Sequence, residues 1–121
     1  MKQFLQKTLG FISYIFWAML AIVTVLMLIE LAPKEGGWPY WDNLQHIVVF
    51  VMLTVAGCLA FPQKRIWVGL SLIAFGAIIE VLQGALTSTR QASVYDWLAD
   101  VAGISIVIGL LALIKNPAKL S

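Results

Sequence analysis

Charge is what this 121-residue chain has least of. Lysine, arginine, aspartate and glutamate together make up 12% of it, against 61% hydrophobic residues. A soluble domain carries roughly a quarter charged residues and just under half apolar ones. Too few polar groups remain to cover the apolar surface, so the composition excludes an ordinary water-soluble globule and points to lipid as the solvent. Cysteine is almost missing too. The single Cys58 excludes an intramolecular disulfide and the multi-cysteine metal motifs. Lying inside an apolar stretch, it reads as a small buried apolar residue. A net charge of +2 without a basic tail leaves no electrostatic case for a nucleic-acid partner. The chain has no internal repeat and no low-complexity tract.

What it does have is four long hydrophobic stretches. A bilayer core of ~30 Å needs about 20 apolar residues in a helix, and residues 10–31, 44–61, 66–86 and 97–114 qualify or nearly do. They use up most of the chain. The expected fold class is therefore all-α, a single domain over residues 1–121 forming an integral membrane bundle of four transmembrane helices. Lys2 and Lys7 before the first run resemble the start of a signal peptide. The run exceeds the roughly 7–15 residues of a signal core, however, and no A-x-A-type site follows it, so a retained first helix is expected. Two prolines and a glycine pair make residues 32–39 a loop. Pro62 lies in a tight polar turn, residues 86–93 form a polar connection, and Asn116-Pro117 stops the last helix.

Orientation follows from lysine and arginine. Lys2, Lys7, Lys64, Arg65, Lys115 and Lys119 fall on one side of the four spans, with only Lys34 and Arg90 on the other. Both termini are thus expected in the cytoplasm, for a multi-pass protein of the bacterial inner (cytoplasmic) membrane. Trp38, Tyr40, Trp41, Tyr95 and Trp97 then flank the outer helix ends, where amphipathic rings favour the headgroup level. Trp67 marks an inner end.

The few acids are not scattered. Asp42 and the only histidine, His46, open the second span; Glu80 lies near the close of the third; Asp96 and Asp100 open the fourth. Glu30 closes the first span and Glu35 lies in the loop after it, both read as solvated surface. All six acids thus fall at the outer end. Asp42 and His46 are four apart, Glu80 and Gln83 three apart, and Asp96 and Asp100 four apart, so each pair projects from one side of its helix. Gly103 continues the last face one turn inward, where a missing side chain allows close helix contact. A carboxylate facing lipid at these depths costs on the order of 2–3 kcal/mol or more. These groups should instead face one another or a water-filled pocket opening outward. Arg90 in the outer loop is the matching cation, able to bridge carboxylates or clamp a phosphate. Crowded, buried acids resist ionising together, a physical basis for acid–base chemistry or cation binding. Polar residues between membrane helices also serve simply as hydrogen-bonding glue.

The ordered polar pattern resembles the VanZ-like family of small bacterial membrane proteins. That family carries Asp-Lys-x-x-His opening a transmembrane helix, here Asp42-Asn43-Leu44-Gln45-His46. It continues with Glu-x-x-Gln, here Glu80-Val81-Leu82-Gln83, then an Arg, here Arg90. Asp-x-x-x-Asn-x-x-Gly follows, here Asp96-Trp97-Leu98-Ala99-Asp100-Val101-Ala102-Gly103. The likeness covers roughly residues 40–110, each motif weak alone and the ordered set more specific. Asn43 replaces the family's Lys and Asp100 its Asn, and both changes make the outer end more negative. The resemblance implies a cell-envelope role, the family's name-giving member being associated with resistance to teicoplanin, a lipid-tailed glycopeptide.

Three functional readings follow. In the first, a non-enzymatic envelope protein binds a membrane lipid, a lipid-linked envelope precursor or another amphipathic molecule. Its ligand-binding residues would be Asp42, His46, Glu80, Gln83, Arg90, Asp96 and Asp100, with no cofactor required. In the second, an intramembrane enzyme acts on a lipid head group. His46 is its general base, Asp42 orients the ring, and Glu80 or Asp96 is the acid, or the group holds a divalent metal through imidazole and oxygen. The third is a small proton-coupled transporter, disfavoured by an apolar first span without an acid in its middle. The small-residue pair Ser105 and Gly109 also offers a face for a further helix, including that of a homo-oligomer, although packing within the bundle accounts for it as well.

Overall fold

The computed structural model of the protein describes residues 1–29, 40–86 and 93–115. Glu30, Glu35, Trp38, Arg90 and Lys119 lie outside the described residues. The described chain is built from four helices: α1 (Lys2–Leu28), α2 (Trp41–Ala60), α3 (Arg65–Leu86) and α4 (Val94–Lys115). No strand occurs among the described residues. Each helix is long and apolar enough to cross a membrane, and the four apolar stretches are helical in the expected order.

Helix starts differ from the hydropathy boundaries, for a physical reason. Hydropathy marks where a span becomes apolar, whereas a helix needs only the absence of breakers. Residues 2–9 contain neither proline nor glycine, so α1 begins at Lys2 and not at residue 10. Both α2 and α4 begin three residues before their apolar stretches, with Asp42 and Asp96 in their first turns. An acid there complements the positive end of the helix dipole.

The helices form a bundle in which α2 and α4 make the central pair. They run in the same direction, since His46 meets Asp100 near the start of both and Gly103 lies against Ile47 and Val51 a turn further on. Antiparallel to them runs α3, with Gly76 facing Trp97 and Asp100 and Gly69 facing Ile104 and Ile108. Among the described residues, α1 packs on α2 and α3 and not on α4. Phe16 fills the hollow over Gly57 and meets Phe61 edge to face, centroids 6.1 Å apart.

Phe50, Leu53, Leu72, Ile79 and Ile104 form the buried centre. Trp17, Ile22, Met52, Leu59, Leu70, Ile78, Val81, Ile106 and Leu110 are exposed. An apolar exterior on every helix is the reverse of a soluble bundle, in which the outward faces are polar.

Gly103 sets the closest approach. A Cβ there would stand 2.7 Å from the Ile47 carbonyl oxygen and 3.3 Å from the Val51 nitrogen, both backbone atoms that cannot step aside. Gly109, on the same helix, has nothing within 4 Å. Gly103→Ala should therefore cost about 1–3 kcal/mol as an overpacking change, while Gly109→Ala costs nothing. Thermal unfolding of the detergent-solubilised protein reads both; equal sensitivity at the two positions would contradict this packing.

Candidate functional site

His46 is the hub. It lies one turn into α2 on the side that meets α4, and it is buried. Its Nδ1 shares a buried hydrogen bond of 2.7 Å with Asp100 Oδ1, a short separation for an N···O pair. Glu80 Oε1, from α3, stands 4.0 Å from the same nitrogen. Asp96 Oδ2 stands 3.9 Å from Nε2, on the other side of the ring. Two helices, α3 and α4, thus bring three carboxylates around an imidazole carried by α2.

Each carboxylate is held by its own local structure. Asp100 is fully buried, and its Oδ2 occupies space that a side chain at residue 76 would take: a Cβ on Gly76 would lie 2.8 Å from it. Gly76 is therefore the seat of Asp100. Trp97, on the preceding turn of α4 and beside the same glycine, donates from Nε1 to the Ile73 carbonyl at 3.0 Å and ties α4 to α3.

Glu80 Oε2 accepts the Ser93 backbone N–H at 3.0 Å. The Ser93 hydroxyl in turn accepts the Asp96 N–H at 3.3 Å, capping the start of α4. In a capping box the acid three residues on reaches back to the cap residue's N–H. Here Glu80 of another helix takes that N–H, so the cap of α4 is completed across the bundle. Asp96 forms the open edge of the group, its side chain 19% exposed.

Two carboxylate oxygens remain. Among the described residues, Glu80 Oε1 and Asp100 Oδ2 are buried without a hydrogen-bond partner. Buried carboxylate oxygens are costly in that condition, so this layer is not a closed network of structural glue.

The residues expected to form one site divide into two groups. His46, Glu80, Asp96 and Asp100 converge. Asp42 is exposed in the first turn of α2, and the ring bond assigned to it in the general-base reading goes to Asp100. A helical turn separates Asp42 from His46, and α4 packs deeper, at the level of the imidazole. Gln83 is buried, but its Nε2 donates to the Met27 carbonyl at 2.8 Å. That satisfies one of the carbonyls left over at the end of α1, so Gln83 joins α3 to α1. Arg90 lies outside the described residues.

Ser93, Trp97 and Gly76 enter the site without having been singled out as site residues. The Ser93-Val94-Tyr95-Asp96 spacing before an apolar run is a capping signal legible in the chain. No comparable signal exists for Gly76, whose role depends on which helix faces it.

Chemically, the group can hold and orient an imidazole, pass a proton between its two nitrogens and the carboxylates, or coordinate a cation. His46, Glu80 and Asp100 each offer one ligand atom, all within 4.8 Å of one another. No protein-family model, curated protein or solved structure matches the chain.

Removal of the Asp100 carboxylate strands a buried imidazole. Asp100→Ala should therefore cost about 3–5 kcal/mol, the range for breaking one side of a buried charged pair. Asp42→Ala, at an exposed position, should stay within about 0.5 kcal/mol. Chemical unfolding in mixed micelles separates the two. Trp97→Phe, which loses one hydrogen bond and keeps most of the ring, should fall between them at about 1 kcal/mol.

Proposed function

We propose that the protein is a VanZ-like protein of the bacterial cell envelope. In this reading four spans cross the cytoplasmic membrane with both termini inside, and the His46 group lies at the outer leaflet. There it receives the polar head of a lipid-linked or otherwise amphipathic molecule. The observation that carries the reading is the convergence of His46, Glu80, Asp96 and Asp100 at one end of a bundle whose flanks are apolar. Glu80 and Asp100 each keep a buried oxygen without a hydrogen-bond partner among the described residues, which a ligand explains better than a purely structural role.

An amphiphile fits this surface with both its halves. Its tail meets exposed apolar side chains such as Leu98. Its head meets Asp96 at the open edge, with His46 behind it. Exposed Tyr40, Trp41 and Tyr95 supply rings at the same level, a position favoured at membrane interfaces. Arg90 is assigned to the head group on sequence grounds alone. The family resemblance extends the reading to lipoglycopeptides of the teicoplanin kind, whose lipid tail places them in the same leaflet as their cell-wall target.

A second reading is favoured by one specific feature. The Asp100–Nδ1 bond fixes the ring so that Nε2 points at the open edge, which is how a general base is held. An intramembrane hydrolase or transferase acting on a lipid head group would use His46 Nε2 as base, Asp100 as its orienting partner and Asp96 or Glu80 as acid.

Teicoplanin and vancomycin susceptibility in a sensitive Gram-positive host tests the first reading, with wild type and Asp96→Asn expressed at matched membrane levels. A shift selective for teicoplanin and abolished by the substitution is expected. No shift from the wild type removes the antibiotic role. Turnover of envelope lipids by the purified protein, lost in His46→Ala, would favour the enzyme instead.

A further inference from the structure

We propose that His46, Glu80 and Asp100 form a binding site for one divalent first-row transition cation of the zinc or manganese type. The inference rests on ligand geometry and stands apart from the amphiphile reading.

The donor set comes first. One imidazole nitrogen and carboxylate oxygens from two further helices form a mixed nitrogen–oxygen shell, which suits zinc and manganese better than the all-oxygen preference of magnesium or calcium. Metal–ligand bonds of about 2.0–2.2 Å place neighbouring donors roughly 3 Å apart. His46 Nδ1 lies 2.7 Å from Asp100 Oδ1 and 4.0 Å from Glu80 Oε1. An ion entering between them needs only to widen the shorter separation slightly and draw in the longer.

Independent of those distances, Glu80 Oε1 is buried, faces the imidazole and has no hydrogen-bond partner among the described residues. Glu80 itself is 5% exposed, so water does not readily meet that need. Its other oxygen is fixed by the Ser93 N–H, which holds the carboxylate in place with Oε1 directed at the ring. Such an oxygen is what a ligand position looks like before the ion is bound.

Asp96 completes the arrangement from outside. When Nδ1 of a neutral imidazole binds a metal, its proton resides on Nε2, and a carboxylate beyond that nitrogen fixes the ring and strengthens the ligand. Asp96 Oδ2 stands on that side at 3.9 Å. Charge points the same way. Three carboxylates around a protonated imidazole leave an excess of two negative charges if all ionise, whereas a divalent ion with a neutral imidazole leaves one.

Detergent-solubilised full-length protein, stripped with chelator and dialysed against micromolar Zn2+ or Mn2+, should retain close to one equivalent of one of them. Glu80→Gln keeps the volume and an acceptor for Ser93, and should weaken binding by more than about tenfold. Asp96→Asn should weaken it about 10–100-fold, as for outer carboxylates of metal-bound histidines. Asp42→Asn should leave it unchanged. Circular dichroism and size-exclusion profiles establish that each variant is folded. Should Glu80→Gln fail that check, the wild type decides alone: Co2+ substitution should give visible ligand-field bands together with a paramagnetic shift of the single histidine's ring signals. Well under one equivalent in the wild type, unshifted histidine signals, or an equal loss in Asp42→Asn would overturn the site.

Discussion

The close parallel approach of α2 and α4 over Gly103 is the contact on which the remaining geometry depends. Because no side chain separates Gly103 from the Ile47 carbonyl, the two helices come near enough for His46 to reach Asp100 directly. Wider spacing would leave the imidazole and the carboxylate to separate solvation, in a setting with little water to provide it. Once that pair is formed, α3 must present something small opposite Asp100, and Gly76 does so. One turn further along α3, Glu80 is carried to the same ring and to the cap of α4. Helix packing and the polar group are thus one structure, not a bundle with charges added.

The polar group is concentrated and its surroundings are not. Outward faces of all four helices carry exposed large apolar side chains, while the buried ionisable trio lies at a single end. In a hydrocarbon solvent, helices gain little from burying one more leucine against another, and association depends on close packing and interhelical hydrogen bonds. Trp97 to Ile73 and Gln83 to Met27 are such bonds. Glu80 and Asp100 join helices through one oxygen each and keep the other unpaired among the described residues.

Much of this was legible in the chain. Four apolar stretches bounded by proline, glycine and polar turns correspond to the four helices, because span length and breakers are local properties. His46, Glu80, Asp96 and Asp100 could be picked out because each is an ionisable group where an apolar residue would be expected. Helical spacing was a weaker guide to partners. Residues four apart share a side of a helix but not a depth, so Asp42 ends exposed while His46 is buried. The ring's partner comes from a residue 54 positions away. Glu80 and Gln83, three apart, diverge by enough angle for one to face α2 and α4 and the other α1.

By itself, then, the sequence determined the fold class, the number and order of the helices and the identity of the ionisable residues, since these follow from composition, periodicity and breakers along a single strand of chain. Tertiary structure alone decided which acid holds His46, which glycine makes room for it, and which oxygens are left unpaired. Those outcomes depend on the rotation and depth at which three helices meet. A shift of one residue in that packing would assemble a different set of neighbours from the same chain.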